Sequence, residues 1–329
     1  MHRRQFLTAS TLVAGSLVAG SSRSAIAGKP NRIILGGYGP STSSFSQGLK
    51  LIGDRLEEKF GNEPEVRYVY NIMDLGYDGA GALTELVDKG VLSLAYLTMF
   101  DGNPALQIAA LPFLFPDSDA ARSAMDGALG QSAIDAIESR TNLRVLGFFE
   151  NGFRHISNSV RPVQEPDDLN GLTIRVLGVQ KRTLELMGAK AKVTPLPAVF
   201  SGLESGELSG QENPFENVVT YKLYMVQKYY TETAHSYLSR PIFVHRPTFD
   251  AWPDELRTEV RAAVRDAVAL QRQLHDQAEI DAASVIRDSG GEIVTLTPQQ
   301  RDAFIARVAP IYADAREQFS PELLSLVDL

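Results

Sequence analysis

Arg175 stands in Leu172-Thr173-Ile174-Arg175-Val176, where Leu172, Ile174 and Val176 alternate along a strand and face one side while Arg175 faces the other. Open α/β sheets bind ligands beyond the carboxyl ends of their strands, and Arg175 is near such an end. A guanidinium there can hold a carboxylate through two parallel hydrogen bonds, which an ammonium cannot copy. Taken alone, a strand arginine is more often a solvated surface group. Gly210-Gln211-Glu212-Asn213-Pro214 reads as a loop that opens a helix. The Asn213 amide there offers donors and an acceptor to a ligand, and Pro214 fixes the turn; an Asx turn or N-cap would use the same residues. Other chemistries find no matching pattern. The Gly36-Gly37-Tyr38-Gly39-Pro40-Ser41 run lacks both phosphate-loop spacings, no serine sits in a Gly-x-Ser-x-Gly elbow, and the histidines (2, 155, 235, 245 and 275) show no metal-ligand spacing with acids.

The elements that must position these residues alternate between strand and helix. Arg32–Gly36 is a predicted strand, and Phe45, Leu49, Ile52, Leu56 and Phe60 follow at helical spacing. Val66–Tyr70 is β-rich, Ala80–Lys89 a short helix, Leu92–Leu97 a strand, Ser118–Arg140 a helix and Leu143–Phe149 another strand. A second series starts near Gly152: a strand at Leu172–Leu177, helices at Val179–Met187, Val199–Leu208 and Glu216–Tyr230, and a strand at Ile242–His245. Such alternation predicts an α/β fold of mixed layers with largely parallel pairing. Pro253-Asp254-Glu255 opens a long apolar stripe that Gly290-Gly291 ends. Unbroken, 253–289 would run roughly 55 Å, longer than one small domain needs; two helices joined at a kink would satisfy the same pattern.

Taken together, Gly-Leu-x-Ile-Arg-Val, the turn around Leu196 and the Gln-Glu-Asn-Pro string resemble the solute-binding proteins of TRAP transporters, the C4-dicarboxylate-receptor type. The resemblance covers about the whole chain beyond its N-terminal segment. It implies a two-domain periplasmic binding fold with a central cleft, crossover segments and a long domain-spanning helix. Domain I would comprise 28–151 plus 240–275, and domain II 152–239 plus 276–329. It also implies that Arg175 clamps a carboxylate and that Asn213 contacts the bound acid. Arg154 would be a second arginine near the cleft, with Leu196 and Phe200 in the pocket segment. Thr98 and Met99 would face the cleft from the first domain, and Tyr38 and Phe45 would approach the ligand after the first strand. The implied activity is reception of a small organic acid and its delivery to the small and large membrane subunits of a permease. The protein would be a monomer without a cofactor, and not an enzyme. A ligand-sensing module of the same fold, or a cofactor-dependent periplasmic enzyme, are the other classes left open. The chain departs from the family at Ser209, where relatives have an acid, at Pro197-Ala198-Val199-Phe200, where they have Ser-Glu-Val-Tyr, and in a short Leu177-Gly178-Val179 loop. This loss of polar groups points to a less hydroxylated acid than a sugar acid.

The beginning of the chain predicts export to the periplasm. Arg3-Arg4 precede an uncharged run from Phe6 to Gly20, and Ala25-Ile26-Ala27 places small residues for cleavage after Ala27. The paired arginines indicate the twin-arginine route, and the run is short for the ~20 residues of an uncleaved anchor. Three of the chain's 32 basic residues and none of its 40 acidic ones fall in 1–27, which leaves the remainder at a net −11. That balance argues against a nucleic-acid partner, although a local arginine can still dominate a pocket. The chain has no cysteine, which excludes disulfides, thiolate metal sites and cysteine nucleophiles. With 44% hydrophobic residues it must hold itself together by packed cores.

Overall fold

The computed structural model describes residues 32–327; the expected signal segment and its cleavage site lie outside the described residues. Nine strands occur among these: β1 (Arg32–Gly36), β2 (Glu65–Val69), β3 (Leu94–Tyr96), β4 (Leu143–Asn158), β5 (Thr173–Val176), β6 (Lys190–Val193), β7 (Gly210–Asn213), β8 (Tyr229–His245) and β9 (Glu292–Thr295). They form one mixed sheet in the order β2-β1-β3-β8-β4-β7-β5-β6, with β9 beside β8. The outer strands pair in parallel, as the alternation predicts. The centre does not. There β4 and β8, of 16 and 17 residues, run antiparallel from Leu143 opposite His245 to Asn158 opposite Tyr229.

This central ribbon explains where pattern and structure differ. The strand expected to stop at Phe149 continues through Glu150-Asn151-Gly152. The ribbon absorbs them as a register shift between Glu150 and Gly152. Gly152 takes φ +81°, and a Cβ there would come within 2.1 Å of the His275 ring, so only glycine fits. The helix expected over Glu216–Tyr230 ends at Thr220, because Lys222 adopts φ +56° and Tyr229–Thr231 are claimed by pairing with β4. The Gln-Glu-Asn run is strand β7 rather than a loop, and Gly127 splits 118–140 into helices Ser118–Asp126 and Ala128–Glu138.

Buried apolar side chains gather in three clusters. The first includes Ile33, Leu49, Tyr96, Phe149, Phe243 and Val264; the second Ile156, Ile174, Leu184 and Phe304; the third Val199, Phe215, Tyr230 and Ile286. The long helix is one unbroken element, Asp254–Asp288. It puts Leu256, Val260 and Val264 into the first cluster and Ala282 and Ile286 into the third. Acidic residues stand in its first turn, and Gly290 at φ +86° follows its end. Among the described residues, no helix is long and apolar enough to cross a membrane.

Midway along, the long helix ties three elements together. Gln271 accepts from the Glu150 N–H at 2.8 Å and donates to the Glu150 carbonyl and to Ser44 Oγ, at the start of the helix Ser44–Phe60. His275 Nδ1 lies 2.7 Å from Glu216 Oε2, whose other oxygen accepts from the Ser44 N–H. Glu279 accepts from the N–H groups of Phe215 and Glu216 at the start of the helix Phe215–Thr220. Burial works against charge on His275, but Glu216, Glu279 and Glu150 outweigh it and bring its pKa up to about 9. A histidine held above its unfolded value of about 6.5 contributes stability in full below that pH and loses it as pH rises through about 9. His275→Asn should therefore flatten the fall in urea midpoint between pH ~6.5 and ~9, with a deficit on the order of 2 kcal/mol at the lower end. Parallel curves for the two proteins across that window would show that His275 is not charged when folded.

Candidate functional site

Strands β4, β5, β7 and β8 bring three arginines to one cavity of about 420 Å³. Arg154, on β4, is fully buried. Its Nε and Nη2 donate to the Glu212 carboxylate, Nη2 also donates to the Glu212 carbonyl (2.6 Å) and Asn213 Oδ1 (2.9 Å), and Nη1 donates to Asn151 Oδ1 (3.0 Å). Burial resists ionisation of Glu212, but the Arg154 guanidinium and His235 outweigh it and bring the carboxyl down to about 2. Arg154 thus spends its charge on Glu212 and its remaining donors on aiming Asn213 and Asn151.

Arg175 is placed differently. Its neighbours Ile174 and Val176 are fully buried in the second cluster, so the strand's alternation turns the guanidinium into the cavity. It is 3% exposed, and its Nε donates to the Thr194 carbonyl at 2.9 Å. Among the described residues no carboxylate forms an ion pair with it. Burial pulls its pKa down to about 10; Glu212 works the other way, while Arg154 and Arg240 add to the fall. It is therefore charged at neutral pH and lacks a counter-ion.

Asn213 sits at the end of β7, with Nδ2 donating to Gln211 Oε1 and Oδ1 accepting from Arg154 and Asn217. The helix Phe215–Thr220 has Pro214 at its N-cap and no side-chain cap, so Asn213 is not serving as one. Tyr38, Thr98 and Leu196 also line the cavity, with Pro195 and Pro197 around Leu196. Three expected residues are not on its wall. Phe45 packs beneath, stacked on Tyr96 at 4.9 Å between ring centroids and tilted against Tyr38. Phe200 packs on the third apolar cluster. Met99 lines an adjoining opening of about 800 Å³ that shares Thr98, Phe100 and Gly178 with the cavity. That opening is the larger, but its arginine, Arg182, is exposed and already paired with Asp314.

Arg240, Asn217, Phe100 and Leu177 line the cavity without having been singled out from sequence. Arg240 is the notable addition, because it is a charged residue buried within the run of β8. A charged residue followed by proline, in Ser239-Arg240-Pro241 just before Ile242-Phe243-Val244, was the available signal.

Comparison with known proteins identifies the family of the chain and relatives of its fold. Residues 37–318 match the family model described as bacterial extracellular solute-binding protein, family 7. A solute-binding protein of Chromohalobacter salexigens is 32% identical, with 88% of this chain and 85% of that protein covered. The 2,3-diketo-L-gulonate-binding periplasmic protein YiaO of Escherichia coli is 28% identical, covering 92% of this chain and 94% of that one. A crystal structure of a TRAP periplasmic solute binding protein from Chromohalobacter salexigens, with bound D-glucuronate, superposes with a TM-score of 0.82. It is 28% identical and covers 89% of this chain and 97% of that chain. A second, from a Polaromonas species and bound to D-erythronate, gives the same TM-score at 26% identity, covering 91% and 99%.

The Arg154–Glu212 pair allows a direct test of what holds this wall. Glu212→Gln leaves the Arg154 charge buried without a counter-ion, which should cost about 3–5 kcal/mol in urea unfolding. A loss below about 1 kcal/mol, the range of an exposed pair, would mean that water reaches Arg154.

Proposed function

The chain belongs to family 7 of the bacterial extracellular solute-binding proteins, and we propose that it is the extracytoplasmic receptor of a TRAP transporter. It binds a small organic acid in the 420 Å³ cavity and delivers it to the small and large membrane subunits of the permease. The observation that carries this reading is the buried guanidinium of Arg175, turned into the cavity with no carboxylate partner among the described residues. A buried charge without a counter-ion is costly, and a ligand carboxylate supplies what the fold withholds. Asn213, held rigidly by Arg154 and Gln211, adds an oriented amide beside it. Tyr38, Thr98 and Leu196 form part of the surrounding wall. Met99 belongs to the approach to the cavity, and Phe45 and Phe200 support it from behind.

The division into 28–151 plus 240–275 and 152–239 plus 276–329 is part of the same proposal. Its support is the segregation of the apolar clusters. The first draws on residues up to Phe149 and on Ile242–Ala267, joined by Tyr237 and Ala315, while the other two lie between Ile156 and Val308. The ribbon of β4 and β8 and the long helix cross between these groups, so rotation about them can open and close the cavity. The receptor works as a monomer and carries out no catalysis. Export to the periplasm by the twin-arginine route completes the reading, resting on Arg3-Arg4 and Ala25-Ile26-Ala27.

Two experiments bear on this. A thermal-shift panel of organic acids, including D-glucuronate and succinate, identifies a stabilising acid, and calorimetry then compares variants. Arg175→Ala should weaken that acid by roughly 30-fold to several thousand-fold, from the ~2–5 kcal/mol lost when a buried charge pair is broken. Arg175→Lys should recover little of this, for want of the planar fork. An affinity that survives Arg175→Ala would move the acid out of this cavity. Separately, replacing Arg3-Arg4 by Lys-Lys should leave full-length precursor in the cytoplasm, and normal periplasmic protein from that variant would rule out the twin-arginine route.

A further inference from the structure

The arginine-lined cavity is not closed on itself. Gly81, Leu97, Thr98, Phe100 and Gly178 line both it and the adjoining opening of about 800 Å³, so the two spaces share a boundary. Two of these boundary residues are glycines, one from each side of the proposed division. Gly81 precedes the helix Ala82–Asp88, and Gly178 follows Arg175 by three residues. Neither has a positive φ, so no backbone constraint demands glycine at either place. A Cβ on either would meet nothing within 4 Å. What the two glycines supply is empty space, and it lies where the cavity meets the opening.

The opening suits a different part of a ligand than the cavity does. Leu97, Met99 and Phe100 on one side, and Ile311 and Phe319 at the end of the helix Pro298–Gln318 on the other, are half-buried apolar groups. Its charged residues are Asp101 and Asp314 against Arg182, which is already paired with Asp314. The cavity is the reverse, since three arginines line it and no acidic side chain does. An acid that occupies both spaces is oriented by this contrast: its carboxylate is drawn to the arginines, and a second anionic end is turned away by Asp101. Two hydrogen bonds hold the sides of the opening together, from Gln180 Nε2 to the Ala110 carbonyl at 3.3 Å and from the Tyr312 hydroxyl to the Pro112 carbonyl at 2.5 Å.

We propose that the opening is a second compartment of the binding site, and that the ligand is an acid with one carboxylate on Arg175 and an uncharged, apolar or aromatic tail. The tail passes between Gly81 and Gly178 and lies on Leu97, Met99 and Phe100. This rests on the receptor reading and deepens it, by naming the part of the ligand that the cavity alone does not specify. Either space lies in the ~300–1,000 Å³ range of sites that bury a drug-sized ligand, so a compact acid would leave the larger one to water. Covering its half-buried apolar wall is the favourable term that a tail adds.

The test titrates the purified protein by calorimetry with butanoate, octanoate, octanedioate and 6-phenylhexanoate, and with D-glucuronate and succinate as compact acids. Octanoate should bind ~100-fold more tightly than butanoate, since each buried methylene contributes ~4-fold, and 6-phenylhexanoate at least as tightly as octanoate. Octanedioate, which carries a charge at the tail end, should bind ~10-fold or more weakly than octanoate. In Gly81→Leu and in Gly178→Leu the octanoate-to-butanoate ratio should fall to about 10-fold or less, because the added side chain occupies the passage. A tail adsorbed elsewhere would leave that ratio unchanged in both variants, which overturns the proposal. Octanoate no tighter than butanoate, or octanedioate tighter than octanoate, also overturns it and leaves the receptor reading standing. Binding of D-glucuronate or succinate with no binding of the monoacids likewise removes the tail and keeps the receptor. If none of these acids binds at millimolar concentration, the receptor reading falls and the tail proposal falls with it. Should neither glycine variant fold, the wild-type ratios and the stoichiometry decide, and more than one octanoate per chain marks adsorption and overturns the proposal.

Discussion

Three guanidinium groups gathered at one wall, with a single carboxylate among them, impose the constraint to which the rest of this structure answers. Burying an unbalanced charge costs several kcal/mol after relaxation, so such a wall needs rigid support and neutral acceptors to be tolerated. The protein supplies both. Arg154 is neutralised by Glu212, and the surplus of Arg175 and Arg240 is spread over the Thr194 carbonyl, the Tyr38 hydroxyl, Thr98 and Asn151. The partners differ in kind. Arg154 has a carboxylate and serves to hold other side chains, whereas Arg175 and Arg240 have only dipoles. That difference separates a cation balanced within the fold from two that have no carboxylate partner among the described residues.

The support comes from two long elements that run past every short one. In the ribbon of β4 and β8, Arg154 and Arg240 sit on neighbouring strands, on either side of the bulge at Glu150 and Gly152. The long helix braces that bulge from behind through Gln271 and His275, and through Glu216 and Glu279 it fixes the start of the helix that follows Asn213. The helix and the ribbon therefore locate the cavity wall together. At Gly152, in the middle of this support, the glycine conformation and the His275 ring leave no room for a side chain.

Much of this was legible in the sequence, and the exceptions have physical causes. Arg175 could be placed because Leu172, Ile174 and Val176 alternate, and the period of a strand fixes which side its fourth residue faces. The long helix was legible from its caps and stripe. Its continuity was not, since an apolar stripe is compatible with a kink, and packing against two clusters decides the matter. The extension of β4 was hidden because Glu150-Asn151-Gly152 carries turn chemistry, and only the partner strand shows it to be a bulge. The fate of Tyr229–Thr231 was hidden for the related reason that long-range pairing overrides local helical pattern. Arg240 escaped because no local period marks it. It lies among buried strand residues, where its role depends on Tyr38, Thr98 and Asn151, all distant in sequence. Phe45, Phe200 and Met99 were expected near the ligand from the family resemblance; packing puts Phe45 against Tyr96, Phe200 against the third cluster and Met99 in the adjoining opening.

The cost of buried charge also governs how such a cavity would discriminate. Apolar walls contribute by area and tolerate changes in a ligand's body, since one methylene more or less is worth only ~1–3 kcal/mol. Polar mismatches are penalised more sharply, because a buried donor or acceptor left without a partner keeps its full desolvation cost. Here the unsatisfied groups are cations, for which that penalty is largest. Selectivity in the proposed receptor would therefore require an acidic group first and grade the carbon skeleton by its apolar area. The same cost gives ligand entry its leverage on closure. In an open cleft water can solvate Arg175 and Arg240, whereas a closed and empty one must leave them dry and unbalanced. In the proposed receptor, closure would then be favourable chiefly with the anion inside, tying the shape offered to a permease to occupancy of the site.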